Sequence, residues 1–346
     1  MSDKLSPLSA SKIKTLQSCS WTYWSKYHLK LPDDSNDGAS RGTICHAVFE
    51  CLGNPRHKPH YKAIHKHQSA WKSKAVKRLV KITAKKLGVL DKENLQLINE
   101  MIVNGVNYDF FGKDKENPSE GISEKDFNIV VEEGEKKYSI RGFIDKLFLY
   151  KKSGTALIRD FKTSKKVFSG KDRTDNLQDL MYSLAVKKLY PKFLSRRSEF
   201  LFLKFNLEED LLGEKGEGVV LMDEISDDEL EGFEYFLTEI QSVIQAFSED
   251  DAVTNFAAKQ NYPKDGSFGG PLSCGFAKKP GQLKKDGTKM WHCSFKFPYS
   301  YWKLTNKDGD IIKTSKNKED LEKISSEGDE VQKMFYEGCP HWNSFI

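Results

Sequence analysis

The segment KYSIRGFIDKLFLYKKSGTALIRDFKT, residues 137 to 163, constrains the fold of this chain more than any other. Two stretches rich in β-branched and aromatic residues flank the turn KKSG, and a connection that short joins only antiparallel neighbours. The segment therefore predicts a hairpin whose register can be counted. With Lys152 and Ser153 at the tip, Lys151 pairs with Gly154, and Asp145 falls directly opposite Asp160. Opposed residues share a sheet face, with Cβ atoms about 5 Å apart. Carboxylates that close repel unless a cation lies between them, and Mg²⁺ binds through one or two carboxylates while keeping positions for water and phosphate. Lys162 points to the same face, where it can orient or deprotonate a metal-bound water or neutralise charge on a phosphate. The competing reading is a cross-strand salt bridge on a solvated face. Phe143, Leu147 and Ile158 share the charged face, and Ile144, Phe148, Leu157 and Phe161 the other. Both faces are thus expected to be buried, where charges tend to be paired or metal-bound.

Around this hairpin the elements alternate. Residues 9–31 carry Ile13, Leu16, Trp24 and Tyr27 at helical spacing, and GTICHAVFECL reads as a second helix with Cys45, Val48, Phe49 and Leu52 on its apolar side. A Lys-rich helical insertion follows at about 55–115, closed by the loop GKDKENPSEGIS. FNIVVEE precedes the hairpin as a strand. After it come the helix DNLQDLMYSLAVKKLY, ended by Pro191, the strand SEFLFLKF and a helix over 227–247. Short turns between strands predict an α/β core with a mixed sheet rather than a doubly wound one. Residues 1–250 are expected to form this core. Residues 251–346 are expected to be a loop-rich extension with three of the six cysteines, a region for cysteine ligands or DNA contacts.

The chain has 55 Lys+Arg against 50 Asp+Glu, so net charge alone gives only a mild preference for polyanions. Basic residues cluster over 62–87 and acidic ones over 223–234, which leaves one surface suited to a phosphate backbone. No stretch approaches the roughly 18 consecutive apolar residues of a membrane helix, and MSDKLSPLSASK lacks a signal-peptide core. A cytoplasmic protein with free or metal-bound thiols is expected.

Gly42-Thr43-Ile44-Cys45-His46, Gly142-Phe143-Ile144-Asp145, Asp160-Phe161-Lys162-Thr163, and Gln178 with Tyr182 occur in that order. Together they resemble the motifs of the PD-(D/E)XK nuclease superfamily, in particular the branch of the RecB and AddB nuclease domains and the CRISPR-adaptation nucleases. The resemblance covers about residues 9–205, and no Pro precedes Asp145 where this branch commonly has one. It implies a restriction-endonuclease-like α/β core with a central mixed β-sheet flanked by helices. It also implies that His46, Asp145, Asp160 and the backbone carbonyl of Phe161 bind Mg²⁺ or Mn²⁺, and that Lys162 is the catalytic lysine. Gln178 and Tyr182 would line the active site and contact DNA; as an i, i+4 pair they share one helix face.

The implied activity is metal-dependent hydrolysis of DNA phosphodiester bonds. No phosphate-loop motif of a helicase accompanies it. A standalone exonuclease of phage type is expected, acting on single-stranded or end-bearing DNA in recombination, repair or degradation, in a bacterial or phage-infected cell. The alternatives are a nuclease subunit of a recombination or CRISPR-adaptation complex and a catalytically silent DNA-binding module. The basic insertion could hold the DNA backbone, with Tyr61 and Trp71 stacking on unpaired bases.

Some members of this branch hold an iron–sulfur cluster with an N-terminal Cys and three C-terminal ones, two of them spaced C-x2-C. Cys19, Cys274, Cys293 and Cys339 supply enough thiols, but Met290 and Tyr299 stand where the outer cysteines would be. Buried thiols are the favoured expectation.

Overall fold

The computed structural model of the chain describes residues 5–33, 36–113, 116–208, 216–257 and 274–343. The chain divides into two units, Met1–Ala10 with Ser35–Gln241, and Ser11–Asp34 with Ser242–Ile346. A segment before residue 35, expected within 1–250, thus groups with the C-terminal residues in the second unit.

The first unit is built on strands β1 (Glu120–Glu133), β2 (Lys136–Tyr150), β3 (Thr155–Lys162), β4 (Ser195–Phe202) and β5 (Val219–Leu221). They lie side by side in chain order. The first three form an antiparallel meander, β4 runs parallel to β3, and β5 returns antiparallel. This is the mixed α/β sheet expected from the turns. Gly154 closes the β2–β3 turn at φ +67, a left-handed conformation that suits glycine. The pairs Tyr150↔Thr155 through Lys146↔Arg159 reproduce the counted register. The ladder stops one pair short of Asp145 and Asp160, because the Asp145 carboxylate takes over as acceptor for the Phe161 N–H at 2.7 Å.

Burial of the hairpin is less symmetric than its sequence suggests. Leu147 and Ile158 are buried on the charged face, but Phe143 is 49% exposed, so that face opens towards one end. β1 also starts earlier than expected: Glu120 to Ser123, read as loop, pair with Leu149 to Lys146.

The helices long enough to bury a face are α1 (Ala10–Ser18), α2 (Asp37–Gly53), α3 (Lys58–His67), α4 (Lys74–Lys86), α5 (Lys92–Asn107), α6 (Leu177–Leu189) and α7 (Asp227–Ala246). Side chains of Asn36, Ser73, Asp91 and Asn176 cap α2, α4, α5 and α6 by accepting orphan N–H groups. The Asn36 cap starts α2 several residues before the helix expected from GTICHAVFECL. α2 buries Ile44, Val48, Phe49 and Leu52 against Val76 and Val80 of α4 and Ile98, Met101, Ile102 and Val106 of α5. The helical insertion is therefore part of the first unit's core rather than an appendage. α6 forms the connection between the parallel strands β3 and β4.

The second unit carries a three-stranded antiparallel sheet, with β6 (Tyr299–Thr305) between β7 (Ile311–Ser315) and β8 (Glu330–Tyr336). The loop-rich reading of this region missed these strands, which are short and turn-bounded. The helix expected over 9–31 breaks at Cys19, whose extended backbone (φ −163, ψ 113) caps a new short helix, Ser20–Tyr23.

Candidate active site

Three adjacent elements of the first unit converge on Asp145. His46 projects from α2, and its Nδ1 lies 3.1 Å from Asp145 Oδ1. Gly42 one turn earlier allows the helix to approach β3, since a Cβ there would stand 3.0 Å from Thr163 Oγ1. On the other side, the β1–β2 pairs Ser123↔Lys146 and Lys125↔Ile144 bracket Glu124 opposite Asp145. Glu124, Asp145 and Asp160 therefore occupy one cross-strand row over β1, β2 and β3. Ligand atoms of His46, Glu124 and Asp145 all lie within 4.8 Å of one another, the closeness a shared cation requires.

Glu124 was not anticipated. The counting that paired Asp145 with Asp160 would have found it if applied to the preceding turn, where Glu133 faces Lys136. An open cleft of about 490 Å³, lined by Gly42, Thr43, His46, Glu50 and Glu124 among others, gives solvent access to this side of the row.

Asp160 anchors the other side. Its Oδ2 lies 2.7 Å from Lys162 Nζ, and its Oδ1 accepts from Gln178 Nε2 at 2.8 Å and from the Tyr182 hydroxyl at 3.3 Å. The Lys162 ammonium also donates to Gln178 Oε1 at 2.7 Å, and Gln178 Nε2 to the Tyr182 hydroxyl at 2.6 Å. The i, i+4 pair of α6 thus fixes the relative positions of the acid and the lysine. The N–H and C=O of a strand residue face the same neighbour. With its N–H on Asp145, Phe161 presents its carbonyl on that edge too.

Electrostatics follow from the crowding. Burial alone would weaken the His46 imidazolium. The hydrogen bond that His46 donates to Asp145 and the charges of Asp145, Asp160 and Glu124 outweigh it and push the pKa up to about 9. Burial, then the charge of Asp145, raises the Glu124 carboxyl to about 7. Burial also raises Asp160 above the usual carboxylate range, against the pull of Lys162. The cause is shared: several carboxylates crowd one partly buried row. The donor set, carboxylates with an imidazole, suits a hard divalent cation.

The other anticipated residues divide. Tyr61 and Trp71 are half-buried against the core of the helical insertion, with the Tyr61 ring 4.7 Å from that of Phe111, which leaves less of either ring for stacking on bases than expected. Cys45 and Cys51 lie on α2, where burial raises both thiols, Cys45 to about 12. Cys19, Cys274, Cys293 and Cys339 meet in one cluster of the second unit. The Cys293 N–H donates to the Cys274 carbonyl at 3.1 Å. Burial first, then proximity to one another, raises the thiols of Cys274, Cys293 and Cys339. Among the described residues no three of these sulfurs lie within 4.8 Å of one another. A single zinc ion with bonds of about 2.3 Å would draw them closer than that.

No curated protein matches the chain. Among solved structures, it is similar to the crystal structure of a "putative exonuclease" from Eubacterium rectale at a TM-score of 0.42 and 11% identity, with 69% of this chain and 80% of that one covered. Among the described residues, no helix is long and apolar enough to cross a membrane. A family model of the PD-(D/E)XK nuclease superfamily matches residues 7–267, which include every residue of the site just described, and the chain belongs to that superfamily.

Proposed function

We propose that this nuclease is a metal-dependent deoxyribonuclease that degrades single-stranded or end-bearing DNA as an exonuclease. The observation that carries the reading is a pair of adjoining polar groups, His46 with Asp145 and Asp160 with Lys162, Gln178 and Tyr182, linked through the Phe161 N–H that donates to Asp145. The exonuclease part rests on the resemblance of His46 and the Gln178–Tyr182 pair to the RecB and AddB branch. Mg²⁺ or Mn²⁺ would be held by His46, Asp145, Asp160 and the Phe161 carbonyl, with Glu124 as a further carboxylate. Such an ion supplies an activated water and charge neutralisation at the scissile phosphate. The chain's own groups do the rest. Lys162, steered by Asp160 and Gln178, places an ammonium group beside the acidic row, where it stabilises charge that develops on phosphate oxygens. Tyr182 and Gln178 hold that lysine and Asp160 in register.

The test is degradation of end-labelled single- and double-stranded DNA with Mg²⁺, Mn²⁺ or chelator. Asp160→Ala and Lys162→Ala are each expected to lower the rate by about 100-fold or more. Degradation that survives both substitutions overturns the reading.

For the second unit the proposal is an iron–sulfur cluster held by Cys19, Cys274, Cys293 and Cys339, which share one buried cluster. Anaerobically purified protein is expected to be brown and to contain iron and acid-labile sulfide, and Cys293→Ser to lose both.

A further inference from the structure

Lys296 is 4% exposed, and a lysine is almost never that buried without a partner of opposite charge. Its backbone and side chain tie together the segments that carry three of the four clustered thiols. Its N–H donates to the Cys293 carbonyl at 3.0 Å, and its own carbonyl accepts from the Cys339 N–H at 3.3 Å. Its Nζ donates to the carbonyl of Gly275, the residue after Cys274, at 2.9 Å. The ammonium stands 4.1 Å from the centroid of the Trp342 ring and 5.4 Å from that of Phe297, so aromatic faces surround it.

Among the described residues no carboxylate pairs with this ammonium group. The ionisable groups that face it are the thiols of Cys274, Cys293 and Cys339. Beside neutral thiols this ammonium has only two ring faces and one carbonyl to offset its charge, with no counter-ion, which is costly. Beside thiolates that hold a metal group, the same ammonium has its counter-charge. Deprotonated thiols are the form that binds metal.

We infer that Lys296 is the built-in counter-ion of a thiolate-held cluster at Cys19, Cys274, Cys293 and Cys339, positioning its ligands and raising its reduction potential. The inference rests on the iron–sulfur reading above. Its physical basis is simple: reduction adds negative charge to the cluster, and a fixed positive charge in a water-poor site favours that state.

Full-length wild-type protein, K296M and K296R are purified without oxygen and assayed for iron and acid-labile sulfide, for midpoint potential by spectroelectrochemical titration, and for iron loss to a chelator. K296M, similar in length but neutral, is expected to have a more negative midpoint potential and to lose iron about 10- to 100-fold faster. K296R, which keeps the charge, is expected to restore the potential towards wild type. Wild-type protein without iron and sulfide overturns the cluster reading and this inference with it. A loaded wild type whose potential and iron loss are unchanged in K296M overturns the role of Lys296 alone. Should K296M fail to fold by circular dichroism, K296Q carries the same comparison.

Discussion

Glu124 adopts φ +49, a left-handed conformation that a glutamate adopts only at a cost of about 1–3 kcal/mol. In that conformation it stands across from Asp145. Glu124→Gly is therefore expected to stabilise the fold by about 1 kcal/mol in denaturant unfolding. The same change should weaken Mn²⁺ binding about tenfold by calorimetry, since a nearby carboxylate is lost. Unaltered Mn²⁺ affinity would remove Glu124 from the site. Asp179, on the helix of Gln178, shows a second cost. Burial raises its carboxyl to about 6 from 3.8, despite nearby hydroxyl groups. Above pH 6 the folded chain must ionise a buried acid, whereas near pH 4 and below it keeps its proton. Asp179→Asn is accordingly expected to add up to about 3 kcal/mol of stability at pH 7, and the gain should shrink as pH falls towards 4. A gain that is independent of pH would contradict this. At this scale much was legible: Asp145, Asp160, Lys162 and His46 meet as the hairpin count and the motif order implied. Glu124 escaped because Gly121, Ile122 and Ser123 around it read as loop chemistry, and the strand that places it is recognisable only through its pairing with β2.

The packing of α2 decides where His46 stands. Gly105 of α5 faces Phe49 of α2, and a Cβ there would lie 2.5 Å from Phe49 Cζ. Gly105→Ala should raise intrinsic helix propensity by about 1 kcal/mol, yet overpacking of this crossing should cost about 1–3 kcal/mol and outweigh it. Thermal melting is expected to show a net loss, with weakened metal affinity if α2 shifts. A stabilised variant would show that the crossing has slack. Period and capping residues made the helices of the first unit visible in the sequence, although Asn36 sets the start of α2 earlier than the apolar pattern does. The strands of the second unit were not visible. β7 spans only Ile311–Ser315 and has no fully buried residue, so it lacks the apolar alternation that marks a strand.

At the level of the whole chain, the two units have separate apolar cores, one around α2 and α5 and one around the four thiols. Calorimetry is expected to resolve two unfolding transitions, with Cys293→Ser moving one and leaving the other in place. A single transition that shifts as a whole would contradict independent cores. The sequence carried no signal that assigns residues 11–34 to the second unit. Their partners lie at the far end of the chain, and no local pattern encodes such a pairing. Trp21 Nε1, for example, donates to the Tyr336 hydroxyl, 315 positions away. That separation has a consequence during synthesis. At about 5–20 residues per second, Trp21 waits roughly 15–60 s on the ribosome for its partner. Phe247 and Phe256, made earlier, cover part of this segment sooner, but the bond from Trp21 to Tyr336 closes only at the end of that interval. The nascent chain is then a target for chaperones until its last strand emerges.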